Sequence, residues 1–200
     1  MSAAIDFYFD FSSPYGYIAA AKVDALAAKY GRGVNWRPIL LGAAMKVTGG
    51  APLPHIPLKG LYAKRDFVRS AQFHGVPFRT PTSFPISTIA AVRAFYWAQG
   101  KDPARAVALA KALYKAYFAD DADISRVEEV IRVAASVGFK PEDVAAGVAD
   151  QAVKDKTKAE VDAAIAKGVF GSPFLVIDGE AFWGTDRLDQ VEKWLATGGW

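Results

Sequence analysis

The chain opens on a run of hydrophobic residues with little alternation. Ala4-Ile5-Asp6-Phe7-Tyr8-Phe9-Asp10-Phe11 is apolar on both faces, the pattern of a strand buried in the middle of a sheet. Pro14 then suits a first helical turn, where its missing N–H costs nothing. Tyr15, Ile18, Ala19, Lys22, Val23, Leu26 and Tyr30 follow at helical spacing and predict one helix, with Gly31 as its stop. Val34-Asn35-Trp36-Arg37-Pro38-Ile39 reads as a second strand. Together these segments predict a βαβ unit, hence parallel strands and a right-handed crossover.

From Leu41 to Pro57 the pattern dissolves into Gly42, Gly49, Gly50, Pro52, Pro54 and Pro57, which predicts an irregular functional loop or a passage between subdomains. Six helical patterns come next: Leu58–His74, Ile86–Gln99, Pro103–Phe118, Ile124–Val137, Pro141–Ala149 and Gln151–Lys167. Ser125 with Glu128 fits a capping box, and Gly100, Gly138 and Gly168 mark helix ends. The tail changes character. Phe174-Leu175-Val176-Ile177 and Glu180-Ala181-Phe182-Trp183 flank Asp178-Gly179, a hairpin signal. After Gly184, a last helix presents Leu188, Val191 and Leu195. The order β-α-β, many helices, β-β-α predicts an α/β chain: a thioredoxin-like domain, residues 1–42 and 168–200, interrupted by an all-helical insertion, residues 43–167.

Composition narrows the function classes. At 200 residues, with 52% hydrophobic and 22% charged residues, the chain matches an ordinary globular protein. Its net charge of +3 comes from 24 basic and 21 acidic residues spread along the chain, which argues against a nucleic-acid surface. No cysteine is present, so disulfides, thiolate metal sites and redox chemistry on the protein's own thiols are excluded. Two histidines, His55 and His74, leave little for a metal site, and neither is assigned a role. The start of the chain lacks the basic and apolar regions of a signal peptide, and no segment has the length of a membrane span; the expected location is cytoplasmic.

Three short segments carry candidate chemistry, each at the border of a strand and a helix, where such sheets gather ligands. Ser13 follows the first strand and precedes Pro14. It is an ordinary helix N-cap, worth about 1 kcal/mol, or a hydroxyl that holds a thiolate brought by another molecule. Pro173 sits between a helix and a buried strand; a cis bond there would turn the backbone of Ser172 toward an extended peptide ligand. Thr185 and Asp186 open the last helix as a simple cap, or as a clamp for the carboxylate and ammonium of a γ-glutamyl group.

Phe9-Asp10-Phe11-Ser12-Ser13-Pro14-Tyr15, Lys59-Gly60-Leu61-Tyr62 with Asp66 and Arg69, Gly75-Val76-Pro77, Gly168-Val169-Phe170-Gly171-Ser172-Pro173-Phe174 and Phe182-Trp183-Gly184-Thr185-Asp186-Arg187 resemble the 2-hydroxychromene-2-carboxylate isomerase family, relatives of kappa-class glutathione transferases. The resemblance spans nearly the whole chain in order. It implies a glutathione-dependent enzyme acting on a small aromatic carboxylate, and a homodimer. It implies that Ser13 is the catalytic serine, a stabiliser of the glutathione sulfur and not a nucleophile. Ser172 and Pro173 would clamp the cysteinyl unit, Thr185 and Asp186 the γ-glutamyl end. Lys59 would meet a carboxylate of ligand or substrate. Tyr15, Phe84 and Trp183 are candidates for the apolar side of the substrate site, with plain core packing as the competing reading for each. Gly50 and Ser87 stand where family members often carry asparagine, both beside the expected second substrate. A transferase or peroxidase using the same thiolate, or a peptide-binding module without catalysis, are the competing readings. A disulfide oxidoreductase would need cysteines at Ser13 and Gly16 and is excluded.

Overall fold

A computed structural model describes residues 3–200. Four strands form one sheet in the order β2-β1-β3-β4. The first, β1 (Ile5–Phe9), lies parallel to β2 (Val34–Pro38) and antiparallel to β3 (Phe174–Ile177), which pairs in turn with β4 (Glu180–Trp183). The continuous apolar run of β1 is explained by this central place, since both of its faces are covered. Ile5, Phe7 and Phe9 are buried on one face, and Tyr8 packs with Phe174, Ile39 and Val169 on the other. The β3–β4 hairpin turns through Asp178 and Gly179, both with positive φ (53° and 91°), as a two-residue turn matching strand twist requires.

The crossover is not the single helix that the pattern predicts. It is split into α1 (Pro14–Ala20) and α2 (Val23–Lys29) at Ala21-Lys22. Almost all of α1 is buried, whereas α2 buries only Val23 and Ala27 and is tied to β2 by Trp36 Nε1 donating to Asp24 at 3.0 Å. Residues 41–57 are also more ordered than the pattern predicts: α3 (Leu41–Thr48) ends at Gly49 in the left-handed region, φ 72°, followed by a 3-10 turn at Leu53–His55. The first N–H of α3, on Leu41, is capped at 2.6 Å by Asp10, a residue of the first strand's end. No local signal announces such a cap.

The insertion contributes α4 (Lys59–Phe73), α5 (Ile89–Gln99), α6 (Pro103–Phe118), α7 (Val127–Ser136), α8 (Pro141–Ala149) and α9 (Gln151–Ala166); α10 (Leu188–Thr197) closes the chain behind a 3-10 turn at Thr185–Arg187. The expected capping box of Ser125 and Glu128 does not form. Both the N–H and the hydroxyl of Ser125 donate to Asp123 instead, and α7 starts two residues later, because a nearby carboxylate wins the local competition. The sheet and the insertion share one core. Phe9 meets Trp36, Phe95 and Tyr114 at ring-centroid distances of 5.3, 6.1 and 5.6 Å, and each such buried aromatic contributes on the order of 2–3 kcal/mol.

Candidate active site

The turn leaving β1 is built around Asp10. Its Oδ1 accepts from the N–H and hydroxyl of Ser12 at 2.8 and 2.9 Å, an Asx turn, and its carbonyl accepts from Ser13 N–H at 2.9 Å. Ser13 is thereby placed as N-cap of α1. Its Oγ accepts from Gly16 N–H at 3.0 Å and donates to the carbonyl of Ser172 at 2.9 Å, 159 residues away. Ser172 precedes a cis Pro173, and its own Oγ accepts from Asp10 N–H at 3.0 Å. Tyr114, fully buried on α6, donates to the Asp10 carbonyl at 2.9 Å. Burial pushes its phenol far above the usual range, with the Asp10 charge adding to the effect. Ser13 and Ser172 are themselves buried, 5% and 8% exposed, so the two serines meet inside the protein edge and not on open surface.

Gly16 lies against this cluster. A Cβ placed there would sit 2.6 Å from both Ser172 Oγ and Tyr114 Oη. The space a second cysteine would occupy in a Cys-x-x-Cys helix is therefore filled by two hydroxyls.

Thr185 donates to the Tyr15 carbonyl at 2.7 Å, and Gly184 N–H donates to the Pro173 carbonyl at 3.0 Å. These two bonds bring the start of the last helical segment to the Ser13 loop. The Thr185 proton is thus committed inside the protein, while the Asp186 side chain is 74% exposed with Arg187 at 3.7 Å. Tyr15 extends away from the serines, donating to Asp66 Oδ2 on α4 at 2.6 Å. Burial and then this bond raise its phenol well above the usual range. Desolvation pushes the Asp66 carboxyl up, but the bonds from Tyr15 and Arg69 and the guanidinium charge outweigh it and leave it below the usual carboxylate range. Tyr15 and Phe84 both pack on Phe67, with ring centroids at 5.1 and 5.9 Å.

Two of the expected residues stand apart. Trp183 is 56% exposed and packs on Phe170 and over Gly171, on the sheet face of Tyr8 and Phe174. Lys59 is the exposed first residue of α4, without an ion-pair partner among the described residues. A cavity of about 400 Å³ between β4 and α10, lined by Trp183, Arg187 and Trp194, includes neither serine. Among the described residues no cluster of three or more His, Asp or Glu side chains converges, and no helix is long and apolar enough to cross a membrane. Asp10, Tyr114 and Thr88 were not singled out by the sequence. The available signal was Asp10 itself, a charge closing an apolar strand two residues before a serine.

A model of the DSBA-like thioredoxin domain matches residues 4–196. The chain belongs to this family. Within it, the chain is 32% identical over 197 residues to the 2-hydroxychromene-2-carboxylate isomerase of Sphingobium xenophagum, covering 98% of this chain and 99% of that one. It is 28% identical to the glutathione S-transferase kappa 2 of Caenorhabditis elegans, over 96% and 91% of the two chains. A solved structure of 2-hydroxychromene-2-carboxylate isomerase superimposes with a TM-score of 0.87 at 26% identity, over 96% and 94% of the two chains. The DSBA-like frame is thus kept without a cysteine.

Proposed function

We propose that this protein is a glutathione-dependent isomerase, resembling 2-hydroxychromene-2-carboxylate isomerase, that acts on an aromatic substrate of the keto-acid type. The observation that carries the reading is the buried pair of Ser13 hydroxyl and Ser172 carbonyl at the head of α1, next to a cis proline, in a chain with no thiol of its own. The residues present fit the thiol end of glutathione: a hydroxyl donor, the Tyr15 N–H in the first turn of α1, and a carbonyl able to accept from a peptide N–H. At the γ-glutamyl end, the Thr185 hydroxyl already donates to Tyr15. A carboxylate there would be met by backbone N–H groups of the 3-10 turn, and an ammonium by the exposed Asp186.

When bound, glutathione supplies a thiolate for reversible addition to the double bond of an unsaturated keto acid, so that the bond can rotate before the sulfur leaves. An unperturbed thiol of pKa about 8.5 is only about 3% ionised at neutral pH, and lowering it by ~2 units corresponds to ~2.7 kcal/mol. Since α1 has only seven residues, most of that falls to Ser13. Its hydroxyl, which donates to the Ser172 carbonyl in the free protein, turns to the sulfur when a peptide N–H takes over that carbonyl. A charge-assisted hydrogen bond of this kind is worth about 1.5–3 kcal/mol. Ser172 and Pro173 hold the cysteinyl backbone, and Lys59 reaches from the exposed start of α4 to neutralise the substrate carboxylate and developing enolate. Tyr15 and Phe84, which share Phe67, border the aromatic ring, with Trp183 left on the other sheet face.

The 28% identity to a kappa-class transferase favours a second reading, in which the same thiolate leaves as a conjugate. One assay separates the two. With a hydroxychromene carboxylate and catalytic glutathione, an isomerase converts far more substrate than the glutathione present, whereas stoichiometric consumption of glutathione defeats the isomerase reading. Absence of any saturable heat at millimolar glutathione defeats both.

A further inference from the structure

The Asp10 carboxylate is 3% exposed, yet it touches three separate parts of the molecule. Oδ1 accepts from Ser12 N–H, Ser12 Oγ and, at 2.9 Å, the hydroxyl of Thr88; Oδ2 accepts from Leu41 N–H at 2.6 Å. Four donors converge on the carboxylate, three on Oδ1 and one on Oδ2, and two of them are backbone N–H groups that can only donate. Leu41 opens α3 and Thr88 precedes α5, so the side chain bridges the serine loop to two helices that follow it in the chain. The backbone of the same residue binds Ser172 Oγ, Tyr114 Oη and Ser13 N–H.

We propose that Asp10 is the positioning residue of the site: it fixes the turn carrying Ser13 against the helical insertion, so that the Ser13 hydroxyl is held where it donates to the Ser172 carbonyl in the free protein and to a sulfur that takes the place of that acceptor. Its partner in this task is Thr88, which is 3% exposed and donates its hydroxyl to Asp10. Thr88 acts on Ser13 only through Asp10. The role of the bond in catalysis rests on the function proposed above; the positioning itself does not.

Burial pushes the Asp10 carboxyl upward against the opposing bonds from Leu41, Ser12 and Thr88. Those bonds suit a carboxylate, and an amide there would turn a donor toward either Leu41 N–H or Ser12 N–H, neither of which can accept.

The test uses the full chain with Asp10→Asn, Thr88→Val and Thr88→Ser. Amide hydrogen exchange comes first and needs no ligand. Protection of the Ser12, Ser13 and Gly16 amides is expected to fall at least tenfold in Asp10→Asn and Thr88→Val and to return within about threefold in Thr88→Ser, with the Val191 and Leu195 amides of α10 unchanged. The second measurement titrates the thiol of bound glutathione by its ultraviolet absorbance. Its pKa is expected to rise by about one unit in the first two variants and to be restored in Thr88→Ser, a change that general loss of stability would not cause. Unchanged protection at Ser12–Gly16 in both Asp10→Asn and Thr88→Val overturns the proposal, with or without glutathione. If Asp10→Asn does not fold, Thr88→Val decides alone. A wild-type protein that does not bind glutathione overturns the proposed function while leaving the exchange result to decide the role of Asp10.

Discussion

Replacing Ser13 by alanine separates its two jobs. In the free protein the hydroxyl caps α1 by accepting from Gly16 N–H and satisfies the Ser172 carbonyl. Loss of an N-cap costs about 1 kcal/mol, and a buried carbonyl deprived of its donor adds about 1–2 kcal/mol more. Stability should therefore fall by about 2–3 kcal/mol, which in a chain of this size lowers Tm by about 5–10 °C. In the glutathione complex the same substitution removes the donor to the sulfur, and the bound thiol should titrate about 1–2 units higher. Calorimetric melting of the free protein reads the first effect; ultraviolet titration of the complex, from pH 5 to pH 10, reads the second. Because Gly16 N–H and Ser172 remain in place, weak binding of glutathione should persist, so that the titration can be followed at saturation. A variant that melts early but titrates its bound thiol like the wild type would reduce Ser13 to a helix cap and refute the thiolate argument.

Two further outcomes follow from the geometry. Gly16→Ala puts a methyl 2.6 Å from Ser172 Oγ and Tyr114 Oη; such overpacking costs about 1–3 kcal/mol. Melting should show that loss, together with a fall in glutathione affinity by calorimetry. The Asp66 carboxyl, held low by Tyr15 and Arg69, contributes stability that is fully present above its unfolded value of about 4 and is lost as pH falls through its folded value. The stability gap between wild type and Asp66→Asn should therefore be open at pH 6 and close on acidification below about pH 4, as read by denaturant unfolding.

The sequence and the structure agree where an element's reasons are local. The apolar run Ile5–Phe9 makes a central strand whatever surrounds it, and Asp178-Gly179 makes a hairpin because both residues tolerate positive φ. Ser13-Pro14 marks a helix start for the same kind of reason. Agreement fails where the deciding partner is distant. The helix at Leu41–Thr48 starts on a carboxylate 31 residues earlier in the chain, and the hydroxyl of Thr88, just before α5, is taken by Asp10, 78 residues away. Ser125 departs from the predicted capping box for the opposite reason: Asp123, two residues off, outcompetes the cap.

What the sequence by itself determined is the class of frame and the absence of thiols: strand periodicity, turn chemistry and the lack of cysteine need no third dimension. It also singled out Ser13, Ser172 and Thr185, since each occupies a strand–helix border. Only the tertiary structure decided how these residues are joined. Ser13 donates to Ser172 across 159 residues and Thr185 to Tyr15 across 170, and the backbone of Asp10 bonds to both serines. Hydrogen bonds are directional and short, so which donor finds which acceptor is settled by packing of the shared core, not by any pattern along the chain.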